Sequence, residues 1–144
     1  MITCTRKLYF DAAHRVMEHE SKCRMLHGHR YTVEATFEAR ELDAVDRVVD
    51  FGVVQELLGG WLDTHWDHNV ILHENDRALG DRIAAETGQA PFYLPFNPTA
   101  ERMAEYLLKE VIPGLFVQYP GLVCWHIRLW ETPNSYAEAT LTEV

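Results

Sequence analysis

Four segments of the chain alternate between apolar and polar residues, which is the period-2 pattern of a β-strand with one buried face. The first two are Thr3–His14 and His29–Ala39. A polar loop separates them, so they are predicted to pair as a hairpin. The other two, Leu122–Glu131 and Tyr136–Thr142, flank a predicted turn at Pro133-Asn134. The pattern therefore predicts two strands at each end of the chain.

Two segments between these strand pairs carry apolar residues at helical spacing. The first follows Asp50, a suitable N-cap, and runs to Leu62. The second opens at Asn97-Pro98-Thr99, with the cap at Asn97 or Thr99, and is expected to stop at Pro113-Gly114. The chain is thus predicted to contain two main helices.

The stretch Thr64–Phe96 shows no sustained period and is expected to be irregular, with a short helical piece around Arg77–Glu86. The element order is then β-β-α-α-β-β, an α+β fold with an antiparallel sheet and helices on one face. Such a sheet has two open edges, and subunit association is a common way to cover them. The pattern therefore predicts an oligomer.

Composition and charge narrow the class of protein. The chain has 144 residues, which is the length of one domain, and its 24% charged content is typical of a globular protein. The net charge of −9 argues against a nucleic-acid partner, since phosphate binding needs clustered lysines and arginines. No apolar run reaches about 18 residues, so no membrane span is expected.

The N-terminus and the cysteines predict a cytoplasmic protein. The first ten residues lack an apolar signal core. Three cysteines are an odd number, which fits a reducing compartment. Cys4 and Cys124 lie within strand patterns and are expected to be inert core residues.

Three of the eight histidines are placed to share one metal ion. His27 and His29 are two residues apart on a strand and point the same way, with Gly28 allowing close approach of the backbone. His14 ends the preceding strand on its apolar face and can lie opposite them in the hairpin. Three imidazoles with an open fourth position form the pattern of a catalytic zinc site. The alternative is that these histidines are satisfied by ordinary hydrogen bonds.

Cys23 precedes His27 by four residues and lies between Lys22 and Arg24. Neighbouring cations and a metal favour the thiolate form of a cysteine. Cys23 is therefore a candidate for a fourth zinc ligand, or for a base or nucleophile beside an open metal position.

Carboxylates supply two further candidate groups. Asp67-His68 is an acid–imidazole pair that could relay a proton, and Asp63-x-His65 is a competing pair. Glu131 ends the apolar stripe of the third strand, where a carboxylate is costly to bury without a partner. It either binds a ligand rich in N–H donors or faces water. The other members of that stripe are Val123, Trp125, Ile127 and Leu129.

Six short motifs together resemble the 6-pyruvoyltetrahydropterin synthase and 6-carboxytetrahydropterin synthase family. They follow the family's order across nearly the whole chain: Phe10-Asp11-Ala12-Ala13-His14, Cys23-x-x-x-His27-Gly28-His29, Val49-Asp50-Phe51, Asp67-His68, Asn97-Pro98-Thr99-Ala100-Glu101 and Glu131-Thr132-Pro133. The resemblance implies a single domain of this type over residues 1–144 with the tunnelling fold, or T-fold. In that fold, subunits join their sheets into a trimeric barrel, and two trimers stack into a hexamer.

The resemblance also implies a zinc-dependent lyase whose substrate is 7,8-dihydroneopterin triphosphate. It implies that the zinc ligands are His14, His27 and His29 and that the general base is Cys23. It further implies that a neighbouring subunit supplies Asp67 and His68 as the proton relay and that Glu131 anchors the pterin. Arg15, Lys22 and Arg24 are candidates for the triphosphate contacts from their position alone.

The spacing before His-Gly-His distinguishes two branches of the family. Three residues separate Cys23 from His27, which resembles the carboxytetrahydropterin branch. The expected products are 6-carboxy-5,6,7,8-tetrahydropterin, acetaldehyde and triphosphate, in an early step of queuosine and 7-deazapurine biosynthesis. The alternatives are a 6-pyruvoyltetrahydropterin synthase, which eliminates triphosphate, and a non-catalytic protein that uses zinc as a staple.

Overall fold

Strands and helices follow one another in the order that the sequence predicts, with further elements in the middle of the chain. The structure is a computed structural model that describes residues 1–142. Its elements are β1 (Thr3–His14), β2 (His27–Ala39), α1 (Phe51–Val54), α2 (Gly60–His65), β3 (Asn69–His73), α3 (Arg77–Thr87), β4 (Phe92–Leu94), α4 (Ala100–Tyr106), α5 (Ile112–Leu115), β5 (Leu122–Thr132) and β6 (Ser135–Thr140). The α+β class is confirmed.

The predicted hairpin forms between β1 and β2. The antiparallel register places His14 opposite His27, and Ala12 opposite His29. β2 begins at His27, two residues earlier than the alternation predicts. All three histidines of the candidate metal site therefore lie at the same end of the hairpin.

The sheet has six strands in the order β4-β3-β1-β2-β5-β6. The pairs formed by β1, β2, β5 and β6 are antiparallel, as expected. β3 lies parallel to β1 and to β4, so the sheet is mixed. The prediction that Thr64–Phe96 is irregular is wrong, because this stretch contributes two strands and α3.

Burial on both faces explains why the sequence of β3 does not alternate between apolar and polar residues. Val70, Ile71 and Leu72 are all buried, so the segment is a continuous apolar run rather than an alternating one. A run of this kind cannot be distinguished from a piece of buried helix by its period. The helix expected near Arg77–Glu86 is confirmed as α3, and it ends at Gly88, whose φ of 77° is the left-handed conformation of a helix C-cap.

Two helical runs pack on the sheet, and side chains cap both. Asp50 accepts a hydrogen bond from the Gly52 N–H at the start of α1, and Thr99 accepts one from the Arg102 N–H at the start of α4. π-Helical segments at 55–59 and 107–111 continue these runs into α2 and α5. The expected stop at Pro113-Gly114 is wrong, because Pro113 lies at the start of α5, where a backbone N–H is not required. None of the described helices is long and apolar enough to cross a membrane.

The hydrophobic core lies between the helical runs and one face of the sheet. Phe10 and Tyr31 stack in its centre with ring centroids 4.7 Å apart, and Trp66 packs on Phe10. Further fully buried members come from both layers: Val33, Phe37, Leu58, Leu62, Met103, Leu107, Ile127 and Leu129. The candidate metal site lies at one end of this core, next to Tyr31.

A β-bulge at Trp125 changes the buried face of β5. The extra residue reverses the alternation, because two residues of β5 then face one residue of β2. As a result, Cys124 is buried, whereas Val123 is 40% exposed. The prediction that Val123 shares one buried face with Ile127 and Leu129 is therefore wrong.

Candidate metal centre

The three histidines of the hairpin form a compact cluster. One ring nitrogen from each of His14, His27 and His29 lies within 4.8 Å of the other two. The ring centroids are 4.8 to 5.1 Å apart. Backbone pairing at the end of the hairpin brings these rings together, as the sequence pattern predicts. The cluster is therefore held by two rigid strands rather than by a loop.

Backbone carbonyls orient two of these imidazoles. The Nδ1 of His14 lies 2.7 Å from the carbonyl oxygen of Pro98, and the Nδ1 of His27 lies 2.7 Å from that of Met25. Since a carbonyl oxygen only accepts, each Nδ1 carries a proton, and in a neutral ring this leaves the lone pair on Nε2. This is the usual orientation of histidine ligands, whose second nitrogen donates to a carbonyl or carboxylate.

Two ring nitrogens of the cluster are buried, and burial favours the neutral form of both rings. In the part of the chain that the structure describes, the Nε2 atoms of His14 and His29 have no hydrogen-bond partner. Burial lowers the pKa of His14 to about 4, although its hydrogen bond to Pro98 acts in the opposite direction. Burial also lowers the pKa of His29. Neutral imidazoles with unshared lone pairs are the form that binds metal, so this donor set fits zinc.

Glu131 lies beside the cluster rather than in open solvent. Its two carboxylate oxygens are 4.0 Å from His14 Nε2 and 3.6 Å from His29 Nε2. Glu131 occupies a second irregularity of β5, between the residues that pair with β6, and such a bulge redirects a side chain. His29 and Glu131 line a cavity of about 540 Å³, which is large enough for a small organic ligand.

Cys23 lies on a single 3-10 turn at Lys22–Arg24 and is half-buried. It is not among the side chains whose ligand atoms converge within 4.8 Å of one another. The other two cysteines differ from it in environment: burial raises the pKa of the Cys4 thiol, and it raises that of Cys124 to about 12. Both thiols are therefore protonated at neutral pH, in agreement with the inert role expected for them.

Of the two candidate relay pairs, the structure joins Asp67 with His68. The Nδ1 of His68 donates to an Asp67 oxygen at 2.8 Å, and the Asp11 N–H donates to the other Asp67 oxygen at 2.8 Å. His65 instead packs on the ring of Trp61 at 4.7 Å. His68 and His29 line one cavity of about 480 Å³.

The Asp67–His68 contact leads to a testable pH effect. The hydrogen bond and charge of Asp67 raise the pKa of His68 above its ordinary value of 6.5. In Asp67→Asn, we expect this pKa to fall, because a neutral amide removes the ion pair. NMR titration of the His68 ring protons measures the change, with Asp63→Asn as the control. An unshifted curve in Asp67→Asn would show that the pair does not form in solution.

The same contact makes one contribution to the pH dependence of folding stability. Since the folded protein binds the His68 proton more tightly than the unfolded chain, the interaction stabilises the fold fully below the unfolded pKa. This contribution is lost as the pH rises through the folded pKa.

The three basic residues proposed to contact the triphosphate differ in their ion pairing and in the cavity that they line. Arg15 forms a two-pronged ion pair with Asp76, a buried carboxylate that the sequence pattern did not single out. Arg15 and Arg24 line one cavity of about 510 Å³ on the loop side of the cluster. Lys22 is an exposed residue of the 3-10 turn and does not line that cavity.

Two residues that support the cluster were not apparent from the sequence. The Pro98 carbonyl accepts from His14 across 84 residues of chain, and the Tyr31 hydroxyl lies 3.2 Å from the same His14 nitrogen. Pro98 carries no side-chain signal for such a role. Tyr31 shares the alternation of His29, so its proximity follows from the strand pattern, but its contact with His14 does not.

Comparison with known proteins relates this arrangement to one family. The family model described as 6-pyruvoyl tetrahydropterin synthase matches residues 3–141. A Rickettsia bellii protein named 6-carboxy-5,6,7,8-tetrahydropterin synthase is 46% identical over 138 residues, which cover 96% of this chain and 99% of that protein.

Two solved structures share the fold. An uncharacterized protein from Wolinella succinogenes superposes with a TM-score of 0.80 at 22% identity, covering 96% of this chain and 97% of that one. The Caenorhabditis elegans 6-pyruvoyl tetrahydropterin synthase gives a TM-score of 0.66 at 21% identity, covering 98% and 96%. The predicted T-fold is thus confirmed, and the chain belongs to the 6-pyruvoyl tetrahydropterin synthase family.

Proposed function

We propose that this protein is a zinc-dependent 6-carboxy-5,6,7,8-tetrahydropterin synthase. The reaction consumes one water, converts 7,8-dihydroneopterin triphosphate to 6-carboxy-5,6,7,8-tetrahydropterin, and releases acetaldehyde and triphosphate. The observation that carries the proposal is the cluster of three imidazoles, two of them with buried Nε2 atoms that have no partner among the described residues, beside the carboxylate of Glu131.

The proposed metal is zinc, held by His14, His27 and His29. Three imidazoles from the protein leave a coordination position for the substrate, as in catalytic rather than structural zinc sites. Bound zinc would polarise the side-chain hydroxyls of the substrate and stabilise the negative charge that develops on them. The absence of Cys23 from the converging ligand atoms supports an open site.

The remaining residues receive roles in binding and proton transfer. Cys23 takes a proton from the substrate side chain at its Sγ. Asp67 holds the Nδ1 proton of His68, which leaves the Nε2 of His68 to exchange a proton with the substrate. Glu131 binds the aminopyrimidinone ring, since its two oxygens can accept two N–H groups together.

The cavity that contains Arg15 and Arg24 is the proposed location of the triphosphate. Asp76 fixes the guanidinium of Arg15 and raises its pKa, so Arg15 stays charged and oriented. A fixed guanidinium binds phosphate oxygens with a smaller entropic cost than a mobile one. Arg24 and Lys22 supply further positive charge on the same loop.

The branch of the family is proposed from two observations. Three residues stand between Cys23 and His27, and relatives that are 43 to 46% identical carry the name of the carboxytetrahydropterin synthase. The alternative product is 6-pyruvoyltetrahydropterin, formed by elimination of triphosphate. The fold and the histidine cluster are compatible with both reactions.

Assembly through the sheet edges is part of the proposal. The edge strands of the described sheet are β4 and β6, each with one unpaired side. Joining these edges between copies would close the sheets into a trimeric barrel, and two barrels would stack into a hexamer. Such an assembly would also let one subunit supply Asp67 and His68 to its neighbour. A cytoplasmic location is proposed with it.

Product analysis tests the function directly. Zinc-loaded protein is incubated with 7,8-dihydroneopterin triphosphate, and the products are identified by mass spectrometry, with chelator-treated protein as the control. We expect 6-carboxy-5,6,7,8-tetrahydropterin and acetaldehyde from the zinc-loaded protein alone. Formation of 6-pyruvoyltetrahydropterin would instead assign the chain to the other branch, and a lack of turnover would contradict the enzymatic role.

A further inference from the structure

The side chain of Asn97 binds the backbone of Met17 at two points. Its Oδ1 accepts from the Met17 N–H at 2.9 Å, and its Nδ2 donates to the Met17 carbonyl at 3.2 Å. The two residues are 80 positions apart in the chain. An amide that both donates to and accepts from one residue fixes the position and the direction of that backbone. Asn97 is not the cap of α4, since Thr99 has that role.

The two hydrogen bonds between Asn97 and Met17, here called the clamp, lie next to a contact with Cys23. Val16, next to Met17, donates its N–H to the Cys23 carbonyl at 2.8 Å. Glu18, on the other side of Met17, has a left-handed backbone with a φ of 64°. A non-glycine residue persists in this conformation where surrounding contacts hold it. The clamp therefore fixes a stretch of the loop that is hydrogen-bonded to Cys23.

The segment that contains Asn97 also contacts the histidine cluster. Pro98, the next residue after Asn97, accepts from His14 Nδ1 at 2.7 Å. The adjacent residues Asn97 and Pro98 thus contact both the loop that carries Cys23 and the His14 ring. One short segment therefore links the loop of Cys23 to a candidate metal ligand.

We propose that Asn97 is a positioning residue that holds the Cys23 loop against the histidine cluster. This proposal rests on the proposed function for its effect on turnover, but its effect on Cys23 itself is independent of that function. Loss of the clamp moves the thiol without removing a metal ligand. We expect Asn97→Ala to lower kcat by about tenfold or more, because small displacements of a reacting group have large effects, while KM and zinc content stay nearly unchanged.

The reactivity of Cys23 provides a test that needs no turnover. The zinc-loaded wild-type protein, Asn97→Ala and Thr99→Ala are treated with iodoacetamide, and alkylation of each cysteine is followed by mass spectrometry. Thr99→Ala removes the helix cap on the same segment but not the clamp, so it reports the effect of lower stability alone. We expect Cys23 to react several-fold faster in Asn97→Ala and at the wild-type rate in Thr99→Ala. Buried Cys124 is the internal reference.

Asn97→Asp serves if the alanine variant does not fold. It keeps the shape and the acceptor for the Met17 N–H but places a carboxylate oxygen against the Met17 carbonyl, so Cys23 should again react faster. An unchanged Cys23 rate in both Asn97 variants would overturn the proposal, as would an equal increase in Thr99→Ala. If Cys23 responds as expected but no variant turns over the substrate, the positioning role stands and the proposed function fails.

Discussion

Cys23→Ala is expected to keep its zinc and to lose turnover by about 10²- to 10⁴-fold, which is the usual contribution of a positioned general base. The thiol lies outside the group of converging ligand atoms, so its removal leaves the three imidazoles in place. Zinc content per chain is measured by elemental analysis, and turnover by product formation from 7,8-dihydroneopterin triphosphate.

Cys4→Ser is the matched control for the cysteine variant. Cys4 is on β1 beside the core and far along the strand from His14, so both zinc content and turnover should match the wild type. Loss of zinc from Cys23→Ala would support the alternative of a closed structural site with Cys23 as the fourth ligand. Full activity in Cys23→Ala would show that another group removes the proton.

The second large effect is expected from His27→Ala, which should abolish stable zinc binding and turnover together. Even second-layer partners of metal ligands change affinity by about 10- to 100-fold, so removal of a ligand should exceed that range. His27 is suited to this test because it is only half-buried, whereas His14 is 1% exposed and its removal would leave a hole in the core. Zinc titration with a competing chelator measures the loss.

His65→Ala separates this effect from the general loss of a histidine. The ring of His65 packs on Trp61 and Phe92, and His65 is not part of the histidine cluster. We therefore expect it to bind one zinc per chain with wild-type affinity. If His27→Ala still binds zinc tightly, the metal is held elsewhere, and the proposed site is wrong.

The hairpin and its histidines were predictable because local rules decide their geometry. Alternation sets which side chains share a face, and a hairpin sets which residues lie opposite each other. These two rules place His14 across from His27 before any long-range contact is known. The pairing of Asp67 with His68 is likewise local, since the two residues are adjacent in the chain.

The middle of the chain could not be predicted in the same way. β3 is buried on both faces, and β4 has only three residues, Phe92–Leu94, so neither shows a period. Their parallel pairing depends on the position of β1, which lies far away in sequence. The bulge at Trp125 reversed the face of Val123 for a similar reason, since it arises where β5 has to fit β2.

Contacts that support the site from a distance were also beyond sequence reasoning. Pro98 binds His14 through its carbonyl oxygen, which every residue possesses, so no residue type marks the interaction. Asp76 is buried and paired with Arg15, but in the sequence either residue alone looks like an ordinary surface charge. Thus the candidate metal ligands could be predicted from the sequence, whereas the residues that contact them from distant parts of the chain could not.

The parallel pairing of β3 with the end of β1 has a consequence for folding. The hairpin of β1 and β2 can form early, because its two strands are neighbours in sequence. Ala12, Ala13 and His14 gain their second neighbour only when Asn69–Ile71 arrives, and His14 gains its Pro98 contact later still in chain order. The three histidines lie on the hairpin, but the contacts that fix the His14 ring are complete only once these remote parts of the chain have assembled. Metal bound to the cluster should therefore stabilise the entire fold against unfolding and not the hairpin alone.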